Sequence, residues 1–260
     1  MRLRFLGTGT SFGIPVIGCG CATCASTDPR DRRTRHGALL ESDDGSRRIL
    51  IDTPPELRLQ LLREDVTRVD AVWFTHAHAD HVHGIDDLRA FSVYGKQAVA
   101  AWADPTCAAL LRSRFPYIFD AAERVPDGTT RPDITLDTYR ALETVDVAGF
   151  PMLPLPVPHG SVTAFGFRVG DLGYVTDAKT LPDETLRALR GVRVLVLNAL
   201  RYGRPHPTHF TIDEAVDTAR AIGAERTFLT HLTHQVRHAE LLEALPAGIE
   251  PAYDGLAVEI

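Results

Sequence analysis

Phe74-Thr75-His76-Ala77-His78-Ala79-Asp80-His81-Val82-His83-Gly84 carries four histidines and an aspartate within eight positions, directly after an apolar run that predicts a buried strand. Imidazole and carboxylate groups are ligands for zinc, manganese and iron. In an extended chain, residues i and i+2 point to the same side, so His76 and His78 can hold one ion. The chain then turns, and Asp80 and His81 can face a second ion. The alternative is a solvated loop that is merely rich in histidine. We favour the metal site, because H-x-H-x-D-H directly after a strand is a specific arrangement.

Two later residues are placed in the same way at the ends of extended segments. His159 follows the proline-punctuated run at residues 151–158, and taken alone it could equally be a structural histidine. Asp177 comes just after the predicted strand at residues 172–175. A carboxylate is a natural bridge between two cations because each oxygen can bind one, and a helix or turn cap is the alternative role for Asp177.

A second cluster is the loop Gly18-Cys19-Gly20-Cys21-Ala22-Thr23-Cys24. Its C-x-C-x-x-C spacing brings three thiolates together, which leaves a tetrahedral zinc one ligand short. Three free cysteines are the alternative. The remaining cysteine, Cys107, lies in a predicted helix and is expected to be a small buried apolar side chain. The polar run Asp28–Arg33 that follows the cysteine loop is predicted to be an exposed loop.

His209 lies just before Thr211-Ile212-Asp213-Glu214, a capping box that predicts a helix reaching Ile222. Free N–H groups and positive potential at a helix N-terminus favour an anion, so a phosphate oxygen would fit beside His209. His206 is predicted to be an ordinary loop residue. Three other histidines lack a comparable context and are predicted to be structural or surface residues: His36, His83 and His238.

The composition is that of an ordinary globular protein, with 44% apolar and 24% charged residues in 260. The formal net charge is −6 and there is no long basic run, which argues against a dedicated surface for duplex nucleic acid. A small phosphorylated substrate is still compatible, because two divalent ions would supply positive charge. The N-terminus lacks the apolar core of a signal peptide, and no stretch is long and apolar enough to span a bilayer. We therefore expect a cytoplasmic protein without membrane contact.

The motif His76-x-His78-x-Asp80-His81 resembles the signature of the metallo-β-lactamase superfamily, and the resemblance extends over nearly the whole chain. It implies an α/β fold, the αββα sandwich of two mixed β-sheets flanked by helices, in a single domain over residues 1–260. The predicted strands fall into two groups, at residues 2–100 and 145–260, which fits that fold. Residues 116–148 are the least readable part and are predicted to form an insertion or a lid over the site.

Within the superfamily the sequence looks most like the PhnP-type phosphodiesterases, on the Gly7-Thr8-Gly9 turn, the cysteine loop and Leu229-Thr230-His231-x-x-His234-Gln235. The resemblance implies two active-site divalent ions, Zn²⁺ or Mn²⁺, and one structural Zn²⁺. It also implies that Asp52, at a strand end, orients a ligand histidine from behind the metals. The implied ligands of the active-site ions are His76, His78, Asp80, His81, His159, Asp177 and His231, and those of the structural zinc are Cys19, Cys21, Cys24 and His234.

The implied activity is hydrolysis of small cyclic or diester phosphates, with Asp80 and His209 as catalytic residues that handle charge and protons. Three alternatives stay open: an RNA-processing nuclease resembling tRNase Z, an enzyme of quinone-cofactor synthesis resembling PqqB, and a thiolester hydrolase. Residues 85–148 and 201–208 have no clear match to the family, and these segments would shape the substrate pocket. The identity of the substrate and of the active-site metals is therefore open, as is the formation of a homodimer.

Overall fold

Fourteen strands form two seven-stranded sheets in the computed structural model, which describes residues 1–260. The first sheet has the order β14-β1-β2-β3-β4-β5-β6, and its strands are β1 (Arg2–Gly7), β2 (Gly37–Glu41), β3 (Arg48–Ile51), β4 (Ala71–Trp73), β5 (Val99–Ala103), β6 (Ile134–Thr138) and β14 (Ala257–Glu259). The second has the order β13-β12-β11-β10-β9-β8-β7, and its strands are β7 (Val145–Val147), β8 (Phe150–His159), β9 (Val162–Val169), β10 (Leu172–Val175), β11 (Val194–Asn198), β12 (Arg226–Thr230) and β13 (Ile249–Pro251).

Each sheet is mixed in the same manner, with parallel pairing in one half and antiparallel pairing in the other. In the first sheet, strands β3 to β6 are parallel neighbours and the rest pair antiparallel. In the second, β10 to β13 are parallel and β7 to β10 antiparallel. Parallel strands end at a common edge of the sheet, which is where ligand sites form in α/β proteins.

Helices cover the outer face of each sheet, and three apolar layers hold the fold together. One buried cluster lies between the sheets, one under the helices of the first sheet and one under those of the second. The predicted α/β sandwich of two mixed sheets is therefore confirmed. The helices are α1 (Leu57–Arg63), α2 (Ala79–Val82), α3 (Arg89–Gly95), α4 (Pro105–Arg114), α5 (Pro116–Phe119), α6 (Asp183–Leu189), α7 (Ile212–Ile222) and α8 (His238–Ala244). None of these helices combines the length and the apolar composition that crossing a membrane requires.

The segment 116–148 contains more regular structure than the sequence indicated. Strand β6 forms the outer edge of the first sheet and β7 the outer edge of the second. These two strands are thus parts of the sheets, and only the connections around them are free of sheet pairing. The sequence did not reveal them because β7 has three residues and β6 shows the mixed burial of an edge strand.

Trp73 of β4 is the largest fully buried side chain and joins the two sheets. Its ring stacks on Tyr139 at 4.0 Å between centroids and meets Phe167 of the second sheet edge-on at 5.9 Å. The Tyr139 hydroxyl in turn donates to the backbone carbonyl of Phe74 at 2.8 Å. Because Phe74 leads into the histidine cluster, this aromatic group supports the strand that delivers the site.

We expect Trp73→Ala to lower the free energy of unfolding by about 3–5 kcal/mol, because it removes a buried indole and leaves a cavity between the sheets. The matched control is Trp102→Ala, since Trp102 pairs with Trp73 in register on β5 but is only half-buried. Urea unfolding followed by far-ultraviolet circular dichroism measures both. Equal losses for the two variants would contradict the central role of Trp73.

Candidate metal centre and active site

The seven residues predicted to hold two ions lie together where strands of both sheets end. Their donor atoms form two neighbouring groups of three, His76 with His78 and His159, and Asp80 with His81 and His231. In the first group, His78 Nδ1 lies 3.0 Å from His76 Nε2 and 3.2 Å from His159 Nε2. In the second, His81 Nε2 lies 3.6 Å from Asp80 Oδ2, which is 3.9 Å from His231 Nε2.

Asp177 lies between the two groups. Its Oδ1 is 3.9 Å from His159 Nε2 and 3.3 Å from His231 Nε2, and its Oδ2 is 3.4 Å from His81 Nε2. One carboxylate therefore faces donors of both groups, as a bridging ligand must. The roles of all seven residues as ligands stay predictions, but the structure brings every one of them to the place that those roles require.

Three residues at this edge have a backbone conformation that is rare for side chains other than glycine. Asp52, Asp177 and His231 have φ angles of 62°, 57° and 59°. Each follows the end of a buried strand, β3, β10 or β12, and the left-handed conformation turns the side chain back across the strand ends. Such a residue costs about 1–3 kcal/mol, and the cost is tolerated where function requires the geometry.

Asp52 holds the second group from behind. Its buried carboxylate accepts hydrogen bonds from His81 Nδ1 at 2.6 Å and from the backbone N–H and the hydroxyl of Thr75, both at 2.8 Å. The proton of His81 is thereby fixed on Nδ1, and Nε2 is left to face the site. The orienting role implied for Asp52 agrees with this contact.

Two further observations indicate that the site fits divalent cations. The Nε2 atoms of His81 and His231 are buried and have no hydrogen-bond partner, although buried polar atoms are nearly always satisfied. Burial lowers the pKa of His76 well below its ordinary value, which keeps that imidazole neutral, the form that binds metal. Burial opposes protonation of His81 too, but the neighbouring carboxylates outweigh it and raise its pKa to about 10. The site thus has an excess of negative charge that a cation would neutralise.

His209 lies beside the bridging position. Its Nε2 is 2.9 Å from Asp177 Oδ1, and its ring stacks on His231 with 4.9 Å between centroids. The predicted capping box is present at the N-terminus of α7, where Thr211 and Glu214 bond to each other's backbone N–H groups. The predicted anion beside this helix end stays a prediction. His209 faces the site through its contact with Asp177.

The sequence also gave no signal for two other histidines near the centre. His206 Nδ1 lies 3.3 Å from His209 Nδ1, and so His206 contacts the candidate catalytic residue instead of being an ordinary loop residue. His36 is fully buried behind the site, with Nε2 3.0 Å from the Tyr174 hydroxyl. His83 is exposed, as a surface histidine would be.

The cysteine loop forms a separate cluster with His234. The sulfur atoms of Cys19, Cys21 and Cys24 lie 3.3, 3.5 and 3.6 Å from His234 Nδ1. A tetrahedral zinc with ordinary bond lengths would separate sulfur and nitrogen ligands by about 3.5 Å, so the cluster has the right size. A backbone hydrogen bond from Cys24 lowers the pKa of Cys21 to about 6, which favours the thiolate at Cys21, whereas burial raises the pKa of Cys24 to about 11. These residues fit a structural zinc, and that role remains a prediction.

Arg33 holds the turn that presents His234. It is fully buried, and its Nη1 donates to the backbone carbonyls of Thr233 at 2.9 Å and Val236 at 3.0 Å. The prediction that residues 28–33 form an exposed loop is wrong for Arg33 and for Asp31, which is also buried and lies 3.3 Å from Arg33. A buried arginine in a polar run cannot be recognised without the carbonyl groups that it meets.

Removing the contact behind the metals should weaken metal binding. We expect Asp52→Asn to lower the affinity of the seven-residue centre for Zn²⁺ or Mn²⁺ by about 10–100-fold, because His81 loses the carboxylate that fixes its orientation. Metal titration followed by calorimetry measures the change. The cysteine cluster serves as an internal control, since its zinc content should not change; loss of metal from both sites would indicate misfolding instead.

The cysteine cluster can be tested by a matched pair of substitutions. Cys24→Ser should remove one equivalent of bound zinc per chain and lower the melting temperature, because one of four ligands is lost. Cys107→Ser should leave the zinc content unchanged, since Cys107 is buried far along the chain in α4. Elemental analysis of the purified proteins reports the zinc. An unchanged zinc content in the Cys24→Ser protein would exclude Cys24 as a ligand.

Comparison with known proteins places this arrangement in a family. A crystal structure of a diphosphatase from the PhnP family is 38% identical, covers 100% of this chain and 97% of its own, and superposes with a TM-score of 0.89. An octanoyltransferase from Porphyromonas gingivalis is 38% identical over 257 residues, 98% of this chain and 51% of that protein. The chain therefore spans about half the length of that relative.

A zinc-bound PqqB from Methylobacterium extorquens superposes with a TM-score of 0.81 over 100% of both chains at 18% identity, a likeness that shows the fold alone. A family model described as the beta-lactamase superfamily domain matches residues 47–232, a span that includes all seven residues of the candidate metal centre. On this match and on the fold that carries it, the chain belongs to the metallo-β-lactamase superfamily.

Proposed function

We propose that the protein is a metal-dependent hydrolase that cleaves small cyclic or diester phosphates. The observation that carries the proposal is the pair of donor groups joined by Asp177, each group with the ligand types of a divalent cation. The likeness to the PhnP-family diphosphatase at 38% identity over nearly full length supports phosphate chemistry. The substrate class is our inference, as are the cytoplasmic location and the homodimer considered from the sequence.

The residues at the site would have different roles in this reaction. Two divalent ions, when bound, lower the pKa of water and neutralise charge on phosphoryl oxygens. The five histidines, Asp80 and Asp177 would hold those ions. His209 is 2.9 Å from Asp177 and would donate a hydrogen bond to a phosphoryl oxygen. Burial lowers the pKa of His209, so only its protonated form would pass a proton to the leaving oxygen. Asp80, partly open to solvent, is the alternative to His209 for passing that proton; burial opposes its ionisation, but His81 and His231 outweigh burial and lower its pKa, so Asp80 would first have to accept a proton.

The cleft above the metal centre suits a charged substrate. It has a volume of about 340 Å³ and no hydrophobic lining residue. His78 and Ser11 lie at its exposed rim, while Asp177 and His231 form its buried part. Within this cleft an apolar acyl group would find no apolar side chain, whereas a phosphate would meet imidazole and hydroxyl groups. Apolar side chains lie only in the adjoining cleft beside His76 and His78.

The nuclease and quinone-cofactor alternatives rest on weaker support. The chain has a formal net charge of −6 and no basic glycine-rich arm with which to grip RNA. The likeness to PqqB at 18% identity supports no particular chemistry. Bound iron and consumption of oxygen would favour the PqqB-like reading over hydrolysis.

A second candidate function is hydrolysis of a thiolester. It is favoured by one observation, the 38% identity to about half of a protein named an octanoyltransferase. A two-metal centre can activate water toward a carbonyl carbon as well as toward phosphorus. The polar lining of the cleft over the metal centre favours a phosphodiester substrate. We therefore rank hydrolysis of a thiolester second.

Metal analysis and substrate assays separate these candidates. We expect the purified protein with two active-site equivalents of Zn²⁺ or Mn²⁺ to hydrolyse bis(p-nitrophenyl) phosphate and 2′,3′-cyclic nucleotides, and to lose both activities on chelation. An octanoyl thiolester is assayed in parallel. Turnover of the thiolester without turnover of either phosphate would replace the proposed function by the second candidate.

The role of His209 has its own test. His209→Ala should lower kcat for bis(p-nitrophenyl) phosphate by about 10²–10⁴-fold, the range for loss of a general acid or base, with unchanged metal content. His83→Ala is the matched control, because His83 is in the histidine-rich stretch but is exposed. Steady-state kinetics with metal analysis measures both variants. If His209→Ala keeps wild-type turnover, His209 has no part in the reaction.

A further inference from the structure

A second cleft adjoins the metal centre and is unlike the first. It has a volume of about 490 Å³ and opens beside His76 and His78, and it shares His78 and Ser161 with the polar cleft. One wall is helix α4, and the other is the turn between β8 and β9 together with the first residues of β9. A substrate bound at the metals therefore has room to continue into this second cleft.

The lining of the second cleft is part apolar and part polar. Ala77, Leu110, Val162 and Phe165 give it apolar surface, while Ser161, Thr106 and Thr163 supply hydroxyl groups. This mixture differs from the wholly polar cleft over the metals. It suits a compact group with both carbon surface and polar substituents.

Arg114 is the only cationic lysine or arginine side chain that lines either cleft. It is the last residue of α4, and its Nη1 donates to the backbone carbonyl of Ala77, which lies between His76 and His78 in the chain. This bond holds the guanidinium of the exposed Arg114 beside the segment of His76 and His78, and its other N–H groups remain available to a ligand. Arginine binds carboxylate and phosphate through paired hydrogen bonds.

The acidic residue of the cleft does not cancel this charge by direct contact. Asp104 caps the N-terminus of α4, and its carboxylate accepts from the backbone N–H groups of Thr106 and Cys107 at 2.9 and 3.2 Å. The carboxylate is thus engaged at one end of the helix and Arg114 is at the other.

We propose that the second cleft is a substrate subsite, in which Arg114 binds an anionic group carried by one ester substituent of the phosphodiester. The substrate class is then a phosphodiester with one substituent that is small, partly apolar and ends in a phosphate, phosphonate or carboxylate. This inference rests on the proposed function, since it assumes that the phosphodiester is cleaved at the metal centre.

A flexible pair of probes tests the subsite without assuming a particular sugar or base. The probes are p-nitrophenyl alkyl phosphates with two to four methylene groups that end either in a methyl group or in a phosphonate. For the wild-type metal-loaded enzyme, we expect a preference for the phosphonate probe. Arg114→Ala should lower kcat/KM for that probe at least about tenfold through KM, and change the methyl-ended probe less than about twofold.

Two further variants sharpen the comparison. Arg112→Ala is the matched control, because Arg112 lies on the same helix, is exposed, and donates to the carbonyl of Leu136 outside the cleft. It should leave both probes unchanged. Arg114→Lys should recover part of the preference, since a lysine keeps the charge without the paired hydrogen bonds.

A binding measurement separates this inference from the proposed function. Calorimetry compares propyl phosphate with 3-phosphonopropyl phosphate on the metal-loaded wild type and on Arg114→Ala. A tenfold loss confined to the second ligand supports the subsite even if no probe is hydrolysed, in which case only the phosphodiesterase proposal fails. Equal effects of Arg114→Ala on both ligands, or a preference for the longest methyl-ended probe, would overturn the subsite and point to an apolar occupant.

Discussion

The hydrogen bond between the Asp52 carboxylate and His81 Nδ1 is the contact on which the metal centre depends. Both side chains are fully buried, and an unpaired carboxylate at this depth would be strongly unfavourable. The same carboxylate accepts hydrogen bonds from the backbone N–H and the hydroxyl of Thr75, so it connects the end of β3 to the segment that follows β4. One buried charge therefore fixes both the position of the chain and the direction of a donor atom.

The frame is built at the expense of local backbone strain. Asp52, Asp177 and His231 all have left-handed φ angles at the ends of strands in two different sheets. Conformations of this kind persist where the surrounding structure over-determines them. Here the apolar layer between the sheets supplies that constraint, with Trp73 and Phe167 in contact across it.

Much of the site could be predicted because its donors stand in recognisable places along the chain. The histidine motif is contiguous, and Asp177 comes shortly after β10, a strand of buried residues. The short edge strands β7 and β13 could not be recognised, because three residues show no periodicity and their pairing comes from neighbours far along the chain. Arg33, His206 and Arg114 were missed for the same reason. Each is polar and unremarkable in sequence, and its importance comes from a carbonyl or an imidazole that only the folded chain brings to it.

The cysteine cluster is joined to the active site through the chain itself. His234 is three residues beyond His231, and the turn between them is bonded on both sides: Leu232 N–H donates to the carbonyl of Thr8 at 2.9 Å, and Thr233 N–H to that of Leu200 at 3.0 Å. Arg33 holds the same turn from within the core. A metal bound by His234 would join this turn to the cysteine loop, and the hydrogen bond to Thr8 joins it to the Gly7-Thr8-Gly9 turn. Both connections would restrict His231, which begins the same turn. Because His231 is also strained, such a distant constraint bears directly on how well the donor atoms of the centre are aligned.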